Sequence, residues 1–167
     1  MKKFALASIA LALTLSAYAA DASGKWKGKI SMDLSGFKAM VKQKAASVPA
    51  DKKAQVTQQL AAMDQAEKMM AKAVISMELK KDGSVVMNQT MNGKSEGDTG
   101  KWTQSGNKVK ITGMNAKKGG PKEMTGSISS NGKGLLFDLS ADMKKQAAKQ
   151  GAPAGTSGKL ILSFTKA

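Results

Sequence analysis

Ile75-Ser76-Met77-Glu78-Leu79-Lys80-Lys81-Asp82-Gly83-Ser84-Val85-Val86-Met87 is the stretch that decides the fold of this chain. Ile75, Met77 and Leu79 alternate with Ser76, Glu78 and Lys80, the two-residue period of a strand buried on one face. Asp82-Gly83 follows, a dipeptide that accepts the positive φ angles of a tight hairpin. Ser84 to Met91 then runs back with Val85, Met87 and Met91 on one face. This is an antiparallel hairpin, and the chain on either side repeats the device.

Upstream, Lys25 to Leu34 alternates in the same way, with Trp26, Ile30, Met32 and Leu34 on one face and Gly28 in register among them. Downstream, Asn92 to Gly97 reads as a loop. Lys101-Trp102-Thr103 and Lys108 to Thr112 flank the turn Ser105-Gly106-Asn107, and Asn115 to Pro121 is a basic loop. Lys122 to Ser129 and Gly134 to Ser140 form another hairpin about Ser130-Asn131-Gly132, with Leu135, Phe137 and Leu139 facing inward. Leu160, Leu162 and Phe164 mark a last strand.

Between the first strand and Ile75 the period changes. Phe37, Met40 and Val41 share a helical face, and Ser47-Val48-Pro49 interrupts it. A second helix of about 20 residues carries the stripe Val56, Leu60, Met63, Glu67, Met70, Val74 and Met77, in which Glu67 is the one polar member, although the alternation from Ile75 assigns Met77 to the strand. Ala141 to Gln150 has the pattern of a short or frayed helix, and Gly151 to Gly155 that of a linker, so 141–158 reads as a flexible segment.

The fold class that follows is mainly β: an antiparallel meander of about eight strands with a helical insertion over 36–73. Closure as a small barrel or a strongly curled sheet removes the edges that an open sheet exposes. An open sheet with helices on one face is the alternative.

The turn pattern resembles a known class. Gly24-Lys25-Trp26-Lys27-Gly28, Lys81-Asp82-Gly83-Ser84, Gly100-Lys101-Trp102, Ser105-Gly106-Asn107-Lys108-Val109 and Asn131-Gly132-Lys133 carry the rhythm of small secreted bacterial lipocalin-like domains. The similarity covers roughly residues 24–34 and 75–140, and it implies a ligand-holding barrel. The chain departs from such domains in two respects. Helices occupy 35–73 where a loop is usual, and no arginine exists to pack against the first-strand tryptophan.

The chain opens with Lys2 and Lys3, an apolar run from Phe4 to Leu15, and small residues at Ala17 and Ala19. That is the three-part pattern of a secretory signal peptide over 1–19, followed by one domain over 20–167. The apolar run is shorter than the ~20 residues of a membrane-spanning helix. No second such run follows, so the expectation is a periplasmic or extracellular protein with no transmembrane segment.

All 27 basic residues are lysine. Without Lys2 and Lys3, 25 lysines face 12 acids, a formal +13. Such a surface attracts polyanions. Base reading leans on the arginine fork, so sequence-specific nucleic-acid binding is not expected.

The residues available for chemistry are few. With no histidine and no cysteine, thiol catalysis, serine–histidine triads and ordinary zinc sites are excluded in their usual forms. Gly93-Lys94-Ser95 resembles the tail of a phosphate loop, but Asn88 stands where the first glycine is required. Met63, Met69 and Met70, or Met87 and Met91, offer thioethers without the usual partner ligands, and no metal or cofactor is expected.

Three functional readings remain. The first is a non-enzymatic secreted protein that holds a small apolar or amphipathic ligand, with Trp26, Trp102, Met87 and Phe137 as candidate ligand-binding residues. The second is a basic adaptor for an anionic envelope polymer or lipid. The third is a hydrolase using two carboxylates drawn from Glu78, Glu96, Asp98, Glu123 and Asp138, which would need one raised pKa.

Overall fold

The first alternating stretch becomes β1 (Gly24–Asp33), and the turn at Asp82-Gly83 joins β2 (Val74–Leu79) to β3 (Ser84–Met91). The computed structural model describes residues 20–47, 49–114, 123–149, 152 and 156–167. Residues 1–19, expected to be a signal peptide, and the loop expected from Asn115 to Pro121 lie outside the described residues. β4 (Lys94–Ser105), β5 (Lys108–Thr112), β6 (Glu123–Ile128), β7 (Gly134–Asp138) and β8 (Lys159–Lys166) complete the strands. Each pairs antiparallel with the next, and β8 returns to β1, so the eight strands close as a barrel. The closing seam runs from Trp26 opposite Lys166 to Asp33 opposite Lys159.

The loop expected from Asn92 to Gly97 is much shorter. Asn92 and Gly93 alone make the turn, with φ of 51° and 75°, and Met91 pairs directly with Lys94. Two successive positive φ angles define the type I′ connection, whose twist matches that of the strands. Gly93-Lys94-Ser95 therefore opens a strand rather than a helix, and Glu96 and Asp98 become strand residues.

The barrel is filled from within. Trp26, Ile75, Met77, Leu79, Val85, Val109, Ile111, Met114, Leu135 and Phe137 are each about 2% exposed or less, and among the described residues no buried one is polar or charged. Phe164 lies opposite Gly28, and Phe137 lies opposite Gly126. In both pairs the aromatic ring occupies the space a glycine leaves empty.

One end of the barrel is closed by residues 20–23. Ala22 is fully buried, and its amide donates to Oε1 of Gln104 at 2.9 Å. Nε2 of Gln104 donates to the Ala20 carbonyl at 2.8 Å, and Nε1 of Trp26 donates to the Ala22 carbonyl at 2.9 Å. Lys166 reaches over the Trp26 ring, 5.5 Å from its centroid, and donates to the Asp21 carbonyl.

Helices occupy the other end. α1 (Ser35–Ala45) follows β1, a short 3-10 turn at Ala50–Lys52 leads into α2 (Lys53–Lys72), and α3 (Ser140–Lys149) links β7 to β8. The expected insertion over 36–73 is thus α1 and α2, and the short helix read near 141–150 is α3. No residue of α2 is fully buried, although Met70 packs against the barrel core. Glu67, the polar member of the α2 stripe, accepts the backbone amide of Leu34 and the ammonium of Lys38.

Candidate functional site

The four residues singled out from sequence do not converge on one open space. Trp26 and Phe137 are 1% and 0% exposed and belong to the packed core. Met87 is half-buried, opposite Met77 on one side and Asp98 on the other. Trp102 is also half-buried, at the end closed by residues 20–23, where its indole donates to the Lys80 carbonyl at 2.8 Å.

A cleft of about 280 Å³ lies at the opposite end, where β3 turns into β4. It is lined by Gln89, Met91, Asn92, Lys94 and Glu96. Gln89 pairs with both Ile75 and Glu96, so this cleft continues the inward side of the sheet. A loop over 92–97, as the polar sequence suggests, would leave no such cleft. The Asn92-Gly93 dipeptide was the signal that a two-residue turn, and hence a longer β4, should be placed there.

A second depression, of about 410 Å³, runs along the outside where β1, β7 and β8 meet the helices. Asp33, Asp138, Lys144, Lys159, Ser35 and Ser140 line it. The two carboxylates do structural work. Asp33 accepts the Ser35 amide at 2.8 Å, and Asp138 accepts the Ser140 amide at 3.0 Å, each at the start of a helix. Both carboxyls are held below the usual range. For Asp33 the largest cause is the Ser35 backbone amide, and for Asp138 it is the Ser140 side chain.

The same direction holds elsewhere. Asp21 and Asp82 are lowered by the hydroxyls of Ser23 and Ser84, while Asp64 and Glu67 are lowered chiefly by Lys38. A general acid needs the opposite shift, produced by burial or a like charge. Among the described residues, no group of three or more histidine, cysteine, aspartate or glutamate side chains is placed to hold a metal ion.

The outer wall has a different character. Lys25, Lys27 and Lys29 alternate outward along β1, and all three are exposed. Across the β1–β2 pairing they face Glu78, Ser76 and Val74, and across the seam Lys27 and Lys29 face Thr165 and Ser163. Lys38 and Lys110 are held elsewhere by ion pairs, to Asp64 and Glu67 and to Glu123 respectively. Among the described residues, Lys25, Lys27 and Lys29 form no ion pair. No helix among them is long and apolar enough to cross a membrane. Comparison of the chain with family models, curated proteins and solved structures gives no match.

Proposed function

We propose that this is a non-enzymatic protein, exported by the leader at residues 1–19, which binds an anionic envelope partner through the outside of a lipocalin-like barrel. One observation carries the reading: the interior is filled by large apolar side chains, while every described lysine lies outside the buried core. A barrel that carries a ligand keeps interior space for it. Here Trp26 and Phe137 occupy that space themselves.

Two further features support the reading. The described carboxylates with shifted pKa are all displaced toward ionisation, which suits charged surface groups better than a general acid. Lys166 lies over the Trp26 ring, where the lipocalin-like domains that the chain resembles pack an arginine.

The test is binding of the purified protein to soluble anionic polymers across a salt series. Affinity should fall steeply as salt rises, because bound lysines displace condensed counterions. Salt-insensitive binding, or none to any anionic polymer, would overturn the proposal. A small polar ligand in the Gln89–Glu96 cleft is the second reading. Native mass spectrometry of the protein from its own host would reveal it as a retained adduct.

A further inference from the structure

With twelve methionines and no cysteine, the oxidisable sulfur of this chain is all thioether. Burial sorts these residues. Met77, Met114 and Met124, in or beside the strands, are no more than 5% exposed. The other eight described methionines are half-buried. A fully buried thioether is out of reach of a peroxide in solution, and a fully exposed one gains an oxygen without disturbing any contact. Half-burial is where oxidation is both possible and disruptive.

Three of the eight stand where the helices join their neighbours. Met40 on α1 accepts a hydrogen bond at its sulfur from the Thr156 hydroxyl, 3.4 Å away. Met143 on α3 and Phe37 on α1 close together on Gly158, where a Cβ would meet both. Met63 on α2 stands one turn before Glu67, on the face that bonds Lys38 of α1. α1 is thus held through Met63 on one side and through Met40 and Met143 on the other. Beyond the Lys38 ion pairs its anchorage is thin: Val41 is the single fully buried residue of α1, and α2 and α3 have none. Met87 and Met91 are different, since they belong to β3, whose ladder hydrogen bonds hold the backbone.

We propose that Met40, Met63 and Met143 form a sulfoxidation site, through which a hydroperoxide releases α1 and α2 from the barrel. In each event a sulfur lone pair attacks one peroxide oxygen and the O–O bond breaks. The thioether loses two electrons and becomes a sulfoxide. The second oxygen takes up the displaced proton and leaves as water, or as an alcohol from an alkyl hydroperoxide. The new S–O dipole is a strong acceptor set in an apolar joint. At Met143 it lies beside the Phe37 ring, which has no donor to offer, and at Met63 it lies between two helices whose amides are already bonded. Water satisfies it once the joint opens. The site is independent of what the outer wall binds.

The test treats the purified protein with hydrogen peroxide at neutral pH, and reads peptide masses and hydrogen exchange together. Sulfoxide should appear at Met40, Met63 and Met143 while Met77, Met114 and Met124 stay unmodified. Exchange in α1 and α2 should then quicken by about tenfold or more, the effect of a buried acceptor left without a donor, while the barrel strands stay protected. A Met40→Leu/Met63→Leu/Met143→Leu variant conserves side-chain volume, so it should fold with the parent's exchange pattern and show no quickening under the same peroxide. Each single leucine variant should remove part of the quickening, which keeps the test decisive if the triple variant does not fold. Sulfoxide at the three residues with unchanged exchange would overturn the proposal. So would quickening that persists in the leucine variants, since Met32, Met69 or Met70 would then carry it. Equal oxidation of Met77, Met114 and Met124 would also overturn it, because it marks opening of the whole fold.

Discussion

Phe137 and Phe164 meet edge to face inside the barrel, 6.0 Å between ring centroids at an interplanar angle of 84°. Each ring also lies over the glycine opposite it, Gly126 and Gly28 respectively. Two glycines and two rings thus form one packed unit bridging β1, β8, β7 and β6. The geometry is the favoured one for aromatic quadrupoles.

Gly28→Ala should therefore be costly although it adds a single methyl group. The new Cβ would lie 2.5 Å from Cδ1 of Phe164 and 2.9 Å from Cγ1 of Ile75. Overpacking of this kind costs about 1–3 kcal/mol. Chemical denaturation should show a lower midpoint with an unchanged slope. Gly93→Ala, where a Cβ meets nothing within 4 Å, tests a different cost, since φ of 75° strains any L side chain.

Gln104→Ala should loosen the segment that closes the barrel. The side chain accepts the Ala22 amide and donates to the Ala20 and Gly106 carbonyls. Removing it leaves the buried Ala22 amide unpaired, at a cost of about 1–3 kcal/mol. Tryptophan emission should shift to the red as water reaches Trp26.

Lys166→Met should act on the same segment from the other side. It removes the cation above the Trp26 ring, worth about 0.5–1 kcal/mol at an exposed site, and the bond to the Asp21 carbonyl. Because both residues hold residues 20–23, the double variant Gln104→Ala/Lys166→Met should lose less stability than the two losses added together. Strict additivity in urea melts would show that the two contacts are independent.

The α1–α2 hairpin should release in acid. Lys38 pairs with Asp64 at 2.6 Å and with Glu67, which also accepts the Leu34 amide. Both carboxyls lie below their usual values because of Lys38, and Lys38 lies above its own because of Asp64 first and Glu67 second. The depressed carboxyls add stability above their ordinary pKa, about 4, and lose it as pH falls through their lower folded values. The raised ammonium adds stability below its ordinary value and loses it only as pH climbs through the raised one. Hydrogen exchange in α1 and α2 should accelerate below about pH 4 while the barrel strands stay protected, with no such change near neutrality. Glu67→Gln should bring the faster exchange to neutral pH.

Much of the fold was legible because alternation and turn chemistry are local. The Asp82-Gly83 hairpin, the inward Trp26, Ile75, Phe137 and Phe164, and the shift to helical period after β1 follow from neighbouring residues. The extent of β4 was not read, because Asn92-Gly93 sits in a polar stretch where loop and two-residue turn differ only in backbone angle. Glu67 stood out as the misfit in its stripe, but its partners at Leu34 and Lys38 lie 33 and 29 residues away.

The candidate site divides along the same line. Sequence alone determined that the chain offers lysine, methionine and few aromatics, without histidine or cysteine, and that it alternates in antiparallel strands. Tertiary structure decided that Trp26 and Phe137 fill the barrel, and that Lys25, Lys27 and Lys29 face outward on a strand with no edge. The reason is closure. Local periodicity tells which residues share a face, but only the β1–β8 seam makes one face an enclosed interior and the other an outer wall.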